Sequence, residues 1–369
     1  MLIFVAAFVF AFEAAAAGLF SVTGSEPAPE LDSLFFRTNG WIGADGDYSV
    51  AVSSNRTLWF FSDTWLGRIV GTSRTNTTMI NNSIGVQTGR GAKSQVEFFW
   101  DRQTNGESAA MFRPPDGHGW FWPGAGAIIA GRLHLLLWQM ESTGEPGAFG
   151  FRNAGVWHCE IANPEETPPA WRLKFQKLPF TELTANRRLI FGSAVLQYGE
   201  YLYFYGFEEH PGEKNFGRRM ILARVEKEAA SDFDHWRFFS DGVWQEDFRR
   251  SSPLAPGIAT EFSVHFVPAL NQFVVVCSDV FLSPDVVAHT APRPWGPWSG
   301  PTTLFRCPEA GWSGSIFCYA GKAHASLSTD GEIVVSYAAN SMKLAEVIRD
   351  ARLYWPRFMH VKLSRSIQP

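Results

Sequence analysis

Cysteine is scarce in this chain of 369 residues, and the spacings that make metal centres are missing. Cys159, Cys277, Cys307 and Cys318 form no C-x-x-C pair, and no H-x-x-x-H pair occurs, so neither a structural nor a catalytic zinc is expected. Blocks of like charge are missing too. The 32 Lys and Arg stand against 36 Asp and Glu, for a formal net charge of −4. A nucleic-acid surface needs clustered Lys and Arg, so no nucleic-acid partner is expected. Helical periodicity is nearly absent, its best candidate being "NSMKLAEVIRDARLYWP" near the C-terminus.

Only residues 1–17, "MLIFVAAFVFAFEAAAA", form a long apolar stretch, and it is too short to span a bilayer. Ala15-Ala16-Ala17 fits a small-residue cleavage site, so residues 1–17 are expected to be a signal peptide, although no basic residue precedes the apolar part. The expectation is a secreted, periplasmic or extracellular protein, free of the membrane once the signal is removed, with residues 18–29 as a linker. In an exported protein four cysteines allow three pairings. Cys307 and Cys318 bracket the short loop "CPEAGWSGSIFC" and are the favoured pair, while Cys159 and Cys277 read as buried thiols on strands. Sequons at Asn55, Asn76 and Asn81 matter only in a glycosylating host.

Aromatic residues, by contrast, are plentiful: 15 Trp and 32 Phe in a chain that is 46% hydrophobic. That is enough apolar material for a large core and argues against disorder. Most of these rings belong to core packing, with a few at loop tips able to stack on sugars. Runs of Val, Ile, Phe, Tyr and Trp, separated by Gly, Pro, Asn and Asp clusters, predict strands throughout.

The runs repeat. "YSVAVSSNRTLWFFSD", "GAIIAGRLHLLLWQ", "SAVLQYGEYLYFYGFE", "FSVHFVPALNQFVVVCSD" and "ASLSTDGEIVVSYAAN" share one plan: a small residue, a short strand, a polar turn, then a strongly apolar strand. Marked by Ser49, Ala127, Ser193, Ser263 and Ser326, the repeats are 78, 66, 70 and 63 residues apart. Such a period holds a four-stranded sheet with long loops, and recurring sheets of that size predict propeller blades. The expected fold is all-β: a five-bladed β-propeller over residues 30–366, one ring closed by N- and C-terminal strands. "SLFFRTNG" and "RFMHVKL" are the expected closing partners. A β-sandwich with additions would show no such regular recurrence.

Three aspartates mark the first repeat, "ADGDYSVAVSSNRTLWFFSDTW". With the turn at Ser54-Asn55, counting outward brings Asp47 and Asp63 to nearly opposite positions, with Asp45 just beyond. Strand spacing then puts the Asp45 and Asp63 carboxyls about 5–10 Å apart, an interval covering both separations glycosidases use. Polar residues near the same end of the other repeats (Gln139 or Glu141, Glu208, Asp279 and Asn340) would converge on one opening. An acidic side chain inside "FFSDTW" is costly unless paired or used, which singles out Asp63.

"DGDYSVAVSSNRTLWFFSDTW", "INNSIGVQ", "FWPGAGAIIAGRLHLLLWQ", "FGSAVLQYGEYLYFYGF", "GPWS", "KAHASLSTDGEIVVSYAANS" and "YWPRF", in order from about residue 40 to 360, resemble a five-bladed propeller group once known only as a domain of unknown function. Some bacterial members of that group are endo-D-arabinanases. The resemblance implies glycoside hydrolysis by two carboxylates of the first blade, which fall on Asp45 and Asp63. Ser62 departs from the Gly usual before that second Asp, and Asp47 adds a further carboxylate.

Glycoside hydrolysis needs one group to protonate the leaving oxygen and another to activate water or attack the sugar. Asp63, between Phe61 and Trp65, is the expected acid, because apolar surroundings disfavour its charged form. Asp45, in a Gly-rich and more solvated stretch, is the expected base. Asp47 and Glu261 are reserve carboxylates. Asn82, Trp122, His324, Asn340 and Arg357 are candidate substrate-binding residues. The expected partner is a carbohydrate and the expected state a monomer. No cofactor is required, and a purely structural calcium ion is compatible with the sequence. Calcium-dependent catalysis is disfavoured, since D-x-D-x-D-G is absent. The competing class is a non-catalytic, lectin-like propeller, which needs the aromatic pocket but not two poised carboxylates.

Overall fold

The computed structural model describes residues 20–366 apart from Ala148 and Phe281. The expected signal peptide therefore lies outside the described residues. Among the described residues, five antiparallel sheets of four or more strands follow one another along the chain. The first holds Tyr48–Ser53, Arg56–Phe61, Ser83–Thr88 and Gln95–Phe99. The second runs from Trp120–Ile129 through Arg132–Ser142 and Phe151–Ile161 to Leu173–Lys177. The third centres on Arg188–Tyr198, Tyr201–Glu209 and Arg219–Glu226, with three short strands at its edges. The fourth holds Phe262–Val267, Gln272–Ser278, Asp285–Ala291 and Thr302–Arg306. The fifth orders Ile316–Ala323, Glu332–Ser341 and Pro356–Arg365, with Phe20–Pro27 at its outer edge.

The repeat seen in the sequence maps onto these sheets. The strongly apolar half of each repeat is the second long strand, and it is buried on both faces. Along Arg132–Ser142, for example, the seven residues Leu133 to Gln139 are all buried. A strand covered on both sides loses the apolar–polar alternation of a half-exposed one, which is why "LHLLLWQ" reads as a continuous run. The first long strands pack side by side: Tyr48–Ser53 on Trp120–Ile129, then Arg188–Tyr198, then Phe262–Val267, then Ile316–Ala323. The fifth sheet returns to the first through His324, whose Nδ1 lies 2.7 Å from the Ser49 hydroxyl.

Small residues lead the repeats because neighbouring first strands come very close. A Cβ on Gly124 would stand 2.5 Å from the Gly192 carbonyl oxygen of the next sheet, a contact no side chain tolerates. Ladder irregularities fall at these points, between Pro123 and Gly126 and between Phe191 and Ala194.

Several expectations need correction. Ser49, Ala127, Ser193 and Ser263 do lie on first strands, but Ser326 lies beyond its own. In the fifth sheet "IFCYAGKA" is the first strand, and residues 324–331 are the connection before Glu332–Ser341. The stretch read as a linker carries strand Phe20–Pro27, paired antiparallel with Pro356–Arg365. "SLFF", expected to supply the closing strand, lies instead in and just beyond helix Pro29–Phe35, whose Leu31 and Phe35 are buried. The segment "NSMKLAEVIRDARLYWP" does hold a helix, Leu344–Arg349. All four cysteines are buried free thiols. Cys307 and Cys318, the favoured disulfide, are hydrogen-bonding neighbours without a covalent link, and contact with Cys318 together with burial raises the Cys307 thiol. Among the described residues no helix is long and apolar enough to cross a membrane.

Candidate active site

The first hairpin is longer than the sheet it belongs to. Beyond Tyr48–Ser53 and Arg56–Phe61 its two arms continue as Asn39–Ala44 and Thr64–Val70, which pair again and, with Ser73–Ile80, make a separate three-stranded sheet. Asp45 and Asp63 sit at the junction between the two ladders. The Asp45 amide donates to the Asp63 carbonyl at 3.4 Å, and the Ser62 amide donates to the Asp45 carbonyl at 2.8 Å. Asp45, not Asp47, is therefore opposite Asp63. An irregularity between Ala51 and Ser53 shifts the count, so that Tyr48 pairs with Phe60.

Gly46 and Asp47 have φ of 88° and 38°, and this left-handed pair turns consecutive acidic residues in different directions. Gly46 has no substitute there, since a Cβ would lie 2.8 Å from both the Ser62 amide and its hydroxyl. Asp45 faces a cavity of about 720 Å³. Asp47 is sealed beneath it, fully buried, accepting from the Ser336 hydroxyl and lying 3.7 Å from the Lys322 ammonium. Asp47 does not line the cavity, which corrects its place as a reserve acid.

Asp45 and Asp63 line the cavity together with Glu261, Trp120, Trp122, Tyr319, Asn340 and Tyr354, among others. The two aspartates are held differently. Asp45 Oδ2 accepts from the hydroxyls of Tyr319 at 2.6 Å and Tyr354 at 3.0 Å, while its Oδ1 is buried without a partner. Burial first, then the negative charges of Asp63 and Glu261, drive the Asp45 carboxyl well above the ordinary carboxylate range, against the tyrosine bonds. Asp63 Oδ1 accepts from Asn81 Nδ2 at 3.1 Å and Trp122 Nε1 at 2.9 Å. Burial raises Asp63 as well, to about 6, and those two N–H donors oppose it by favouring the carboxylate. The sequence expectation of a more solvated Asp45 is thus corrected. Burial raises Glu261 too, and the nearby Lys322 opposes that rise.

Of the candidate substrate-binding residues, Trp122 and Asn340 reach the cavity. Asn340 Nδ2 donates to the Tyr319 hydroxyl at 3.4 Å. The other three are engaged elsewhere. Asn82 is fully buried, and its amide clamps the backbone of Phe112 and Phe121. His324 is wedged between the hydroxyls of Ser49 and Ser336, and burial pulls its imidazole well below its usual range. Arg357 pairs with Asp32 at 3.4 Å and Glu309 at 3.8 Å and donates to the Arg352 carbonyl, fastening the last strand to the first helix. Nor do all the polar strand ends converge: Gln139 is held by Asp116 and Trp157, and Glu208 by Arg187 and His210.

Sequence reasoning missed Asn81, Tyr319, Tyr354 and Lys322. In "INNS" it selected Asn82, but adjacent side chains of an extended chain point to opposite sides, so only Asn81 reaches Asp63. In "YWPRF" it selected the charged Arg357 over Tyr354. Nothing in the local pattern marks Tyr319, which finds Asp45 across 274 residues.

Among the described residues no three His, Cys, Asp or Glu side chains are grouped to hold a metal ion. At the centre below the cavity, the oxygens that could have bound calcium converge instead on Lys322 Nζ: Gly46 O, Ala320 O, Glu261 Oε1 and Asp47 Oδ1. An ammonium there leaves no room for a cation, so these residues do not fit a structural calcium.

Residues 29–363, most of the chain, match one family model. The chain belongs to the family described as a domain of unknown function, DUF5005. A protein of Bacteroides ovatus described as a candidate hydrolase is similar in structure, with a TM-score of 0.72 over 91% of this chain and 90% of that one, at 21% identity. The α-L-arabinofuranosidase PaAbf62A of Podospora anserina, solved with cellotriose, scores 0.47 over 88% and 92% of the two chains at 10% identity. A GH43_1 enzyme of Xanthomonas citri scores 0.47 over 92% and 93% at 12% identity. Among curated proteins none matches. The likeness to the Bacteroides ovatus structure is one of fold.

Proposed function

We propose that this DUF5005 protein is a glycoside hydrolase in which Asp45 is the general acid and Asp63 the base or nucleophile. The five sheets are read as blades of a five-bladed β-propeller over residues 20–366, with Phe20–Pro27 completing the last blade. One observation carries the functional reading: two carboxyls from facing strands line one cavity and are held by different partners, Asp45 by two hydroxyls and Asp63 by two N–H groups. Burial raises both carboxyls, and the neighbouring charges of Asp63 and Glu261 push Asp45 up further, so Asp45 is the one that favours its proton. As the glycosidic C–O bond breaks, that proton passes to the leaving oxygen. Asp63 Oδ2 then takes a proton from the incoming water or attacks the anomeric carbon itself. These roles invert those expected from the sequence.

Trp120 and Trp122, with ring centroids 6.2 Å apart, give the cavity an aromatic wall suited to a sugar face. A polysaccharide or oligosaccharide substrate of arabinan or arabinofuranoside type follows from the sequence resemblance. Export with removal of residues 1–17 would leave strand Phe20–Pro27 whole. The test is incubation with arabinans and other furanose- and pyranose-containing polymers, with products followed by chromatography. Turnover that disappears in Asp45→Asn and Asp63→Asn supports the reading. Binding without turnover by the native chain would make it a carbohydrate-binding module instead.

A further inference from the structure

Lys322 is 1% exposed, and every polar contact it makes leads to the candidate site. Its Nζ donates to the carbonyls of Gly46 at 2.6 Å and Ala320 at 2.8 Å and to Glu261 Oε1 at 3.2 Å. Those three bonds use all the donors an ammonium has. Asp47 Oδ1 follows at 3.7 Å, and the Tyr48 ring lies beneath at 4.6 Å. Gly46 is the residue between Asp45 and Asp47, Ala320 follows Tyr319, and Glu261 is a further carboxylate of the cavity. One side chain thus ties together three segments from the first, fourth and fifth sheets.

We propose that Lys322 is the positioning residue of this site: it fixes the Gly46 carbonyl, and so Asp45, against the Tyr319 strand, and keeps Glu261 a carboxylate at the cavity wall. The inference rests on reading Asp45 as the proton donor, and it assigns Glu261 the part of a fixed negative charge. The groups facing Asp45 are Asp63, Glu261, Tyr319 and Tyr354, while Lys322 faces Asp47, Glu261, Tyr48 and His324. Removing the ammonium lets Glu261 take up a proton. Asp45 then loses a neighbouring negative charge and its titration moves down. Glu261→Gln removes the same charge directly, so the two substitutions act through one group and their effects do not add.

The test is ¹³C-carboxyl NMR of the full chain, with the Asp45 resonance assigned by its loss in Asp45→Asn. Lys322→Met and Glu261→Gln should each lower the Asp45 titration midpoint by about one pH unit, the size of a close like-charge effect. Lys322→Arg, which keeps the charge, should leave the midpoint near the native value. The double variant should match Glu261→Gln alone. A midpoint unmoved in Lys322→Met, or a double variant displaced beyond Glu261→Gln, overturns the proposal. If Lys322→Met does not fold, the double variant carries the test by the same comparison. No substrate is involved, so failure of the polysaccharide screen would not decide the outcome. Where turnover is found, Lys322→Met should lower kcat about tenfold or more with KM within about threefold, since Lys322 does not line the cavity.

Discussion

Asp63 presents two sides to its surroundings: Oδ1 takes N–H bonds from Asn81 and Trp122, and Oδ2 is left for chemistry. Its midpoint near 6 lies about two units above that of an ordinary aspartate, so the fold binds a proton at pH 4–6 that the unfolded chain has released. The native state therefore loses stability as pH rises through that window, by up to about 3 kcal/mol. Asparagine at this position keeps an oxygen for both donors and carries no charge. Asp63→Asn should accordingly raise the melting temperature at pH 7 and converge with the native protein below about pH 4, as scanning calorimetry across pH would show. The same substitution should cost activity by a factor of about 10²–10⁴, the usual contribution of a positioned acid or base. More stable but inactive is the signature of a functional carboxylate, and loss of both would mark Asp63 as structural.

Tyr354 offers a second test at the scale of one hydroxyl. Its bond to Asp45 Oδ2, like that of Tyr319, favours the carboxylate and so opposes the rise caused by burial. Tyr354→Phe removes a single oxygen, which should move the alkaline limb of the pH–rate profile further upward. Movement downward would show that Asp45 is not the group titrating there.

At the level of elements, the segment 342–355, which carries helix Leu344–Arg349, is held by an arginine from another sheet. Arg74 is buried, and its guanidinium donates to the carbonyls of Ile42, Val347, Asp350 and Leu353 and lies over the Trp355 ring. Burial lowers it to about 10. The three carbonyls of that segment fix the end of helix Leu344–Arg349 and the chain that follows it, and with them Tyr354. Arg74→Met would strand several buried acceptors, at a cost of about 3 kcal/mol or more. Urea unfolding should register that loss, and the variant should also shift the alkaline limb in the direction of Tyr354→Phe. A stability loss with an unchanged pH profile would confine Arg74 to holding the fold.

Such couplings explain what could and could not be read in advance. The long apolar second strands and the turn at Ser54-Asn55 were legible because burial on both faces and turn chemistry leave local marks. Asp45, Asp63 and Trp122 stood out because carboxyls and indoles among apolar runs are themselves unusual. Tyr319, Lys322 and Arg74 were not legible, since a tyrosine, lysine or arginine on a strand looks the same whether it meets solvent or a partner 270 residues away. Register was lost for a related reason: an irregularity at Ala51–Ser53 displaces every pair beyond it, and alternation alone does not reveal it.

For the molecule as a whole, the last sheet depends on both ends of the described chain. Phe20–Pro27 is its outer strand, so Pro356–Arg365, paired on its other side with Glu332–Ser341, is covered along both edges. Phe20 is buried in the same apolar cluster as Leu304, Val335 and Tyr337, and Ser25 donates its hydroxyl to the Leu304 carbonyl at 2.7 Å. Removing residues 1–27 gives up the burial of Phe20, about 2 kcal/mol, together with the ladder bonds. It also leaves a long unpaired edge, which invites association with other chains. The candidate site draws on none of residues 20–27. The shortened chain should therefore melt several degrees lower than one beginning at residue 18 and scatter light at lower concentration, yet keep any activity found for the full chain at low temperature. An unchanged melting curve would mean that the strand covers the edge without contributing to stability, and loss of activity in the cold would mean that closure of the last sheet shapes the cavity as well.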